Sequence, residues 1–198
     1  MPLARVPFWY LRHGETDWNA RGWSQGNVDI PLNERGIAQA HAAAALLRGR
    51  GIATIVSSPL GRARVTAQAV ADATGLPVAV DDGLRECAFG KQEGQEMGTW
   101  FHDWVAERFV PEGGEPFAAL RIRAAAAINR ATALPAPVLV VAHGALFRAL
   151  RAEMGMEPDV RTPNAAPVFI EPDGAAEWRL TWADSAAIGD RPPAVQPA

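Results

Sequence analysis

Val138-Leu139-Val140-Val141-Ala142-His143-Gly144 is the run that decides the fold. Its first five residues are apolar without alternation, as in a central parallel strand covered on both faces, and a histidine and a glycine follow at once. Phe8-Trp9-Tyr10-Leu11 has the same character and runs straight into Arg12-His13-Gly14. Ile52 to Val56 precedes Ser57-Ser58-Pro59, and Val78 to Val80 leads to Asp81 through Glu86. Alanine-rich segments with helical spacing separate these runs. Asn33 can cap a helix through about Arg48, where Ile37, Ala40, Ala44 and Leu47 recur on one side and Gly49 with Gly51 ends it. Ser58 as N-cap and Pro59 as first helical residue predict a helix running to Gly75. Pro116 to Ala133 and about Ala145 to Met154 read as further helices, and Val168–Glu171 with Glu177–Trp182 around Pro172-Asp173-Gly174 predict a terminal hairpin. Strands alternating with helices predict an α/β fold with a mostly parallel central sheet.

Nothing in the pattern separates two domains, and 198 residues suffice for one sizeable core. We expect a single domain over residues 1–185. Within it, 87–117 breaks the rhythm and reads as an inserted, cap-like segment, with Phe89, Trp100, Phe101, Trp104, Phe109 and Phe117 among glycines and charges. These aromatics suit an apolar entrance to a site, a core, or an exposed surface supporting a homodimer. The Pro-rich stretch 186–198 predicts a flexible tail.

A formal net charge of -3 gives no bulk attraction to nucleic acid or to an anionic membrane. The opening residues lack the apolar core of a signal peptide, and no uncharged apolar run reaches the ~18 residues of a membrane span. Cys87 is the single cysteine, so no internal disulfide forms, and a cytoplasmic setting is expected.

Four polar clusters fall at the C-terminal ends of the strands or just beyond: Arg12-His13-Gly14, Ser58 through Arg62, Arg85-Glu86 and His143-Gly144. In open α/β sheets ligands bind in the crevice outside those ends, so parallel strands would bring the clusters together. Two histidines, two arginines and a glutamate suit a phosphate monoester. Arg12 and Arg62 offer planar forks matching phosphate oxygens, and Arg62 would lie in a helix's first turn, where free N–H groups favour an anion. The same arginines would keep His13 neutral and nucleophilic. Gly14 would let the backbone approach the phosphate. His143 could donate to the transferring phosphoryl group, and Glu86 could protonate a leaving alkoxide and later activate water. Each residue also has a plain structural reading, and zinc held by His13, His143 and Glu86 has no HExxH or cysteine-rich spacing behind it.

The motifs also carry a resemblance. Leu11-Arg12-His13-Gly14-Glu15-Thr16-Asp17-Trp18-Asn19 resembles the LRHGET-x-x-N signature of the histidine phosphatase superfamily, branch 1, the phosphoglycerate mutase-like proteins. Asp29 to Gly36 resembles its D-x-P-L-[TN]-x-x-G segment, Ser57 to Ala63 its SSPL-x-R-A, Leu84-Arg85-Glu86 its L-x-E, and Val141 to Gly144 its V-x-H-G. The resemblance implies a three-layer α/β/α fold and an enzyme needing neither metal nor cofactor. It implies His13 as phosphohistidine nucleophile, Glu86 as proton donor and acceptor, and Arg12, Arg62, His143 and Gly144 at the phosphate. Asn19 and Thr16 are implied as further phosphate ligands, and Gln25 and Gly26 as residues near the distal part of a small phosphorylated metabolite.

Phosphatase and mutase share the first half-reaction and differ in what accepts the phosphoryl group. A mutase needs extra cations for a bisphosphate intermediate, and the family supplies them in a long insertion after the glutamate, with a tyrosine and an arginine pair. Here only 56 residues lie between Glu86 and His143, Phe89 stands where the tyrosine would, and the cations there are Lys91, Arg108, Arg121 and Arg123 rather than a pair. Pro116 follows Gly113-Gly114-Glu115 where many of the phosphatases have serine. The reading is a phosphomonoester phosphatase, with a 2,3-bisphosphoglycerate-dependent phosphoglycerate mutase and a non-catalytic phospholigand-binding module as alternatives.

Overall fold

The computed structural model of the chain describes residues 2–184, so the stretch 186–198, expected as a tail, lies outside the described residues. Strands β1 (Phe8–Arg12), β2 (Thr54–Ser57), β3 (Val78–Val80), β4 (Val138–Ala142), β5 (Val168–Asp173) and β6 (Glu177–Trp182) form one sheet ordered β3-β2-β4-β1-β5-β6. The first four are mutually parallel; β5 and β6 add an antiparallel edge. All five residues of β4 are buried, as its unbroken apolar run requires.

The pleat divides the core in two. Trp9, Leu11, Ile55, Leu139 and Val141 pack against α2 (Glu34–Leu47) and α3 (Gly61–Thr74). Phe8, Tyr10, Val56, Val140 and Ala142 face the opposite way, onto α5 (Phe117–Thr132) and α6 (Gly144–Glu153). Helices on both faces make the three layers, and the parallel strands deliver the ends of β1, β2 and β4 to one edge.

Asn33 caps α2 as expected, accepting from Gly36 N–H at 2.8 Å. The start of α3 differs from expectation. Its first helical residue is Gly61, not Pro59, and Ser58 is not its cap, because the Ser58 hydroxyl lies 2.7 Å from His143 Nε2. The free end is closed instead by a residue remote in sequence: both carboxylate oxygens of Asp29 accept from Gly61 N–H, at 2.9 and 3.0 Å. A short helix absent from the sequence reading, α1 (Asp17–Arg21), is held by a reciprocal cap in which Thr16 and Asn19 each bond the other's backbone.

The 87–117 segment carries helix α4 (Trp100–Val105). Phe89, Phe101, Trp104 and Phe117 are buried in the same core as α5 and α6, with Trp104 edge-on to Phe89 at 5.2 Å and to Phe117 at 4.9 Å. Trp104 Nε1–H donates to the Glu115 carbonyl at 2.9 Å. The aromatic set is therefore mainly a packed cluster; Phe109 alone of the six is exposed, at 40%. No helix among the described residues is long and apolar enough to cross a membrane.

Candidate active site

His13 leaves the sheet at the C-terminal end of β1, its N–H donating to the Ala142 carbonyl at 3.0 Å. Its ring is almost fully buried. Nδ1 lies 2.7 Å from the Gly14 carbonyl, and Arg62 Nε donates to Nε2 at 3.3 Å. A guanidinium can only donate, so Nε2 carries the lone pair and Nδ1 the hydrogen. Burial, then Arg62 and Arg12, hold the imidazole pKa well below its ordinary value, so the ring is neutral at neutral pH.

Arg62 sits in the first turn of α3 with its side chain wholly buried. Besides His13 it reaches the carbonyls of Val28 at 2.8 Å and Gly26 at 2.7 Å, and Asp29 lies 4.0 Å from Nη1. Each terminal nitrogen keeps one further N–H. Arg12 Nη1 donates to the Thr162 carbonyl at 2.6 Å, while its buried Nε has no protein partner. Burial and the charge of Arg161 lower the Arg12 pKa to about 10, which leaves it charged at neutral pH.

His143, fully buried, starts α6, its ring centroid 5.2 Å from that of His13. If the Ser58 hydroxyl gives its proton to Nε2, the buried Nδ1, which no protein group meets, becomes an unspent donor. Burial, then Arg62, keeps this ring neutral too. Tyr10, from β1, fixes its backbone: the phenol accepts from His143 N–H at 3.1 Å and donates to His143 C=O at 2.7 Å.

The Glu86 carboxylate lies on the N-terminus of α6. Oε1 accepts from Cys87 and Leu146 N–H and Oε2 from Ala145 N–H, all at 3.0 Å. No side chain of α6 caps that end, so Glu86 does so from another part of the chain. Arg123 anchors the Glu86 loop from behind, donating to the carbonyls of Gly83, Arg85 and Glu86 at 2.9, 2.8 and 3.3 Å.

These groups surround a cavity of about 320 Å³. Arg12, His13, Asn19, Gln25, Gly26, Arg62, Glu86 and Gly144 line it, whereas Thr16 and His143 do not. Thr16, expected as a phosphate ligand, is buried, its hydroxyl accepting from Asn19 N–H in the α1 cap. His143 stands just behind the wall, beside His13. Asn19 is both cap partner and wall residue, its side-chain oxygen accepting from Asn164 at 3.1 Å. Gly14 serves packing more than ligand approach: a Cβ there would lie 2.3 Å from the Gly36 carbonyl oxygen.

Sequence reasoning missed most of the far wall, which adds Trp23, Met97, His102, Arg148, Asp159, Arg161 and Thr162 to Phe89 and Phe101 of the expected aromatic set. Arg148 had a signal, since it lies one helical turn beyond Gly144 on α6. Arg161 and Thr162 had none, because the loop carrying them is brought in only by folding. Of the cations considered after Glu86, Lys91, Arg108, Arg121 and Arg123 all pair with carboxylates and none lines the cavity. Among the described residues no group of three or more His, Cys, Asp or Glu is arranged to hold a metal ion.

A sequence model of the histidine phosphatase superfamily (branch 1) matches residues 8–182. The chain belongs to that superfamily. Among its histidine phosphatase relatives, the "probable phosphoglycerate mutase GpmB" of Yersinia pestis is 40% identical over 146 residues, which is 68% of this chain and 67% of that protein. Among solved structures, "mycobacterial hydrolase 1" superposes with a TM-score of 0.80 at 31% identity, covering 92% of this chain and 100% of that one. A mycobacterial glucosyl-3-phosphoglycerate phosphatase, solved with VO3, gives a TM-score of 0.77 at 32% identity, covering 89% and 97%. The neighbours of this superfamily member thus include both mutase-like and phosphatase proteins.

Proposed function

We propose that the protein is a metal-independent phosphomonoester hydrolase that passes the phosphoryl group of a small phosphorylated metabolite to His13 and then to water. The observation carrying this reading is the His13 ring itself: neutral, fixed by the Gly14 carbonyl in the Nδ1–H tautomer, its Nε2 lone pair beside Arg62 at 3.3 Å. Nε2 gives up the Arg62 contact and attacks phosphorus as the P–O bond to the alkoxide breaks. Arg12 and the remaining Arg62 donors balance charge on the phosphoryl oxygens, with His143 behind them beside the His13 ring. Glu86, entering as the acid, protonates the leaving oxygen; as carboxylate it then takes a proton from the water that attacks phosphohistidine, restoring the acid and a free His13.

Rapid quenching with ³²P-labelled substrate tests this. An acid-labile, alkali-stable label on the chain is expected, absent from His13→Ala, and an active enzyme without it overturns the covalent route. The likeness to a probable mutase favours one other reading, a 2,3-bisphosphoglycerate-dependent phosphoglycerate mutase. It requires that this cofactor stimulate interconversion of 3- and 2-phosphoglycerate faster than either is hydrolysed.

A further inference from the structure

The cavity wall carries more positive charge than one phosphoryl group uses. Four arginines line it (Arg12, Arg62, Arg148, Arg161) against two carboxylates, Glu86 and Asp159, although the whole chain is net negative at -3. Arg12 and Arg62 flank His13 and match the near-dianionic phosphate. Glu86 is occupied by three N–H groups. Arg148 stacks 4.8 Å over the Phe101 ring and pairs with Asp159, whose other oxygen meets His102. That leaves Arg161, exposed at the rim, with no carboxylate in ion-pairing distance among the described residues.

Arg161 is not a stray surface cation. The next residue, Thr162, gives its carbonyl to Arg12 at 2.6 Å, so the peptide that anchors the phosphate-side guanidinium also carries Arg161. Like charges set so close, with Arg161 the foremost charge acting on Arg12, cost free energy in the empty protein that a bound anion offsets. The same wall also carries the apolar side chains of Phe89, Phe101, Met97 and Trp23.

We propose that Arg161 is a specificity residue, placed on the segment after α6 to receive a second anionic group of the substrate, a carboxylate or a second phosphate, beyond its reactive phosphoryl group. This inference rests on the phosphomonoester reading of the same cavity and narrows it to esters bearing a further negative charge.

Two matched pairs test it in the full-length enzyme. 3-Phosphoglycerate differs from glycerol 3-phosphate by a carboxylate, and fructose 1,6-bisphosphate from fructose 6-phosphate by a second phosphate. At least one anion-bearing member should exceed its partner roughly tenfold or more in kcat/KM, the scale of one charge-assisted hydrogen bond. Arg161→Gln should reduce that ratio to about twofold or less, chiefly through KM, and Arg161→Lys should recover much of it. The favoured pair identifies carboxylate or phosphate. No preference in either pair, or a preference that survives Arg161→Gln, overturns the proposal. Should none of the four esters be hydrolysed, the hydrolase reading fails by itself. Calorimetric titration with the same pairs still decides the proposal, which stands if Arg161→Gln abolishes a binding preference and falls if it does not.

Discussion

Acidification from pH 7.5 to 5.5 should destabilise the protein through the two buried imidazoles. His13 and His143 are 2% and 0% exposed, and burial followed by Arg62 holds both well below the ordinary histidine value. In the unfolded chain each titrates near pH 6.5, so between that value and the lower folded one the unfolded state binds protons that the native state refuses. Stability is therefore undiminished by these groups above about pH 7.5 and falls as pH drops through about 6.5. Over the two units each ring can contribute up to about 1.4 kcal/mol, or up to about 2.7 kcal/mol together. With a urea slope of about 2 kcal/mol/M, the unfolding midpoint should fall by up to about 1.3 M. The assay is urea denaturation in phosphate-free buffers at pH 7.5, 6.5 and 5.5, comparing the chain with the His13→Asn/His143→Asn double variant. The comparison cancels every other titrating group. A midpoint that falls equally in both proteins would refute the reasoning, since the two rings would then not be excluded from protonation.

Tyr10→Phe strips the hydroxyl that serves both backbone groups of His143, leaving the N–H unpaired while the carbonyl keeps the Phe147 N–H, and should cost about 1–2 kcal/mol, measured by the same denaturation at pH 7.5. Glu86→Gln should slow steady-state hydrolysis at least ~100-fold; an unchanged kcat removes Glu86 from proton transfer. Asp29→Ala opens the capped end of α3 and should cost about 1 kcal/mol of stability, with weaker vanadate binding because Arg62 lies in the loosened turn. Turnover should survive prolonged EDTA treatment and dialysis, and restoration by added divalent metal would reverse the metal-independent assignment.

Where side chains answer to their own neighbours in sequence, the reading was close. Asn33 caps α2 through Gly36, three residues on, and β4 lies where five apolar residues in succession demand two covered faces. Ser58 shows the opposite: its sequence context is that of a cap, yet folding brings His143 to its hydroxyl, and α3 begins two residues late with a carboxylate from Asp29 closing it. The aromatics of 87–117 were equally ambiguous, since composition alone does not distinguish a packed cluster from an apolar entrance. Phe89 and Phe101 turn out to be both buried and on the cavity wall.

The sequence by itself determined that an α/β sheet would collect His13, Arg62, Glu86 and a second histidine, because apolar periodicity and residue type are properties of consecutive residues. Only the tertiary structure decided which atoms face the cavity. Thr16 turns its hydroxyl to a helix end, His143 stands behind the wall, and Arg148 and Arg161 supply charge from a region that no motif covers. Hydrogen bonds and like-charge crowding depend on distances between residues far apart in the chain, and those distances exist only once the strands have paired and the helices have covered them.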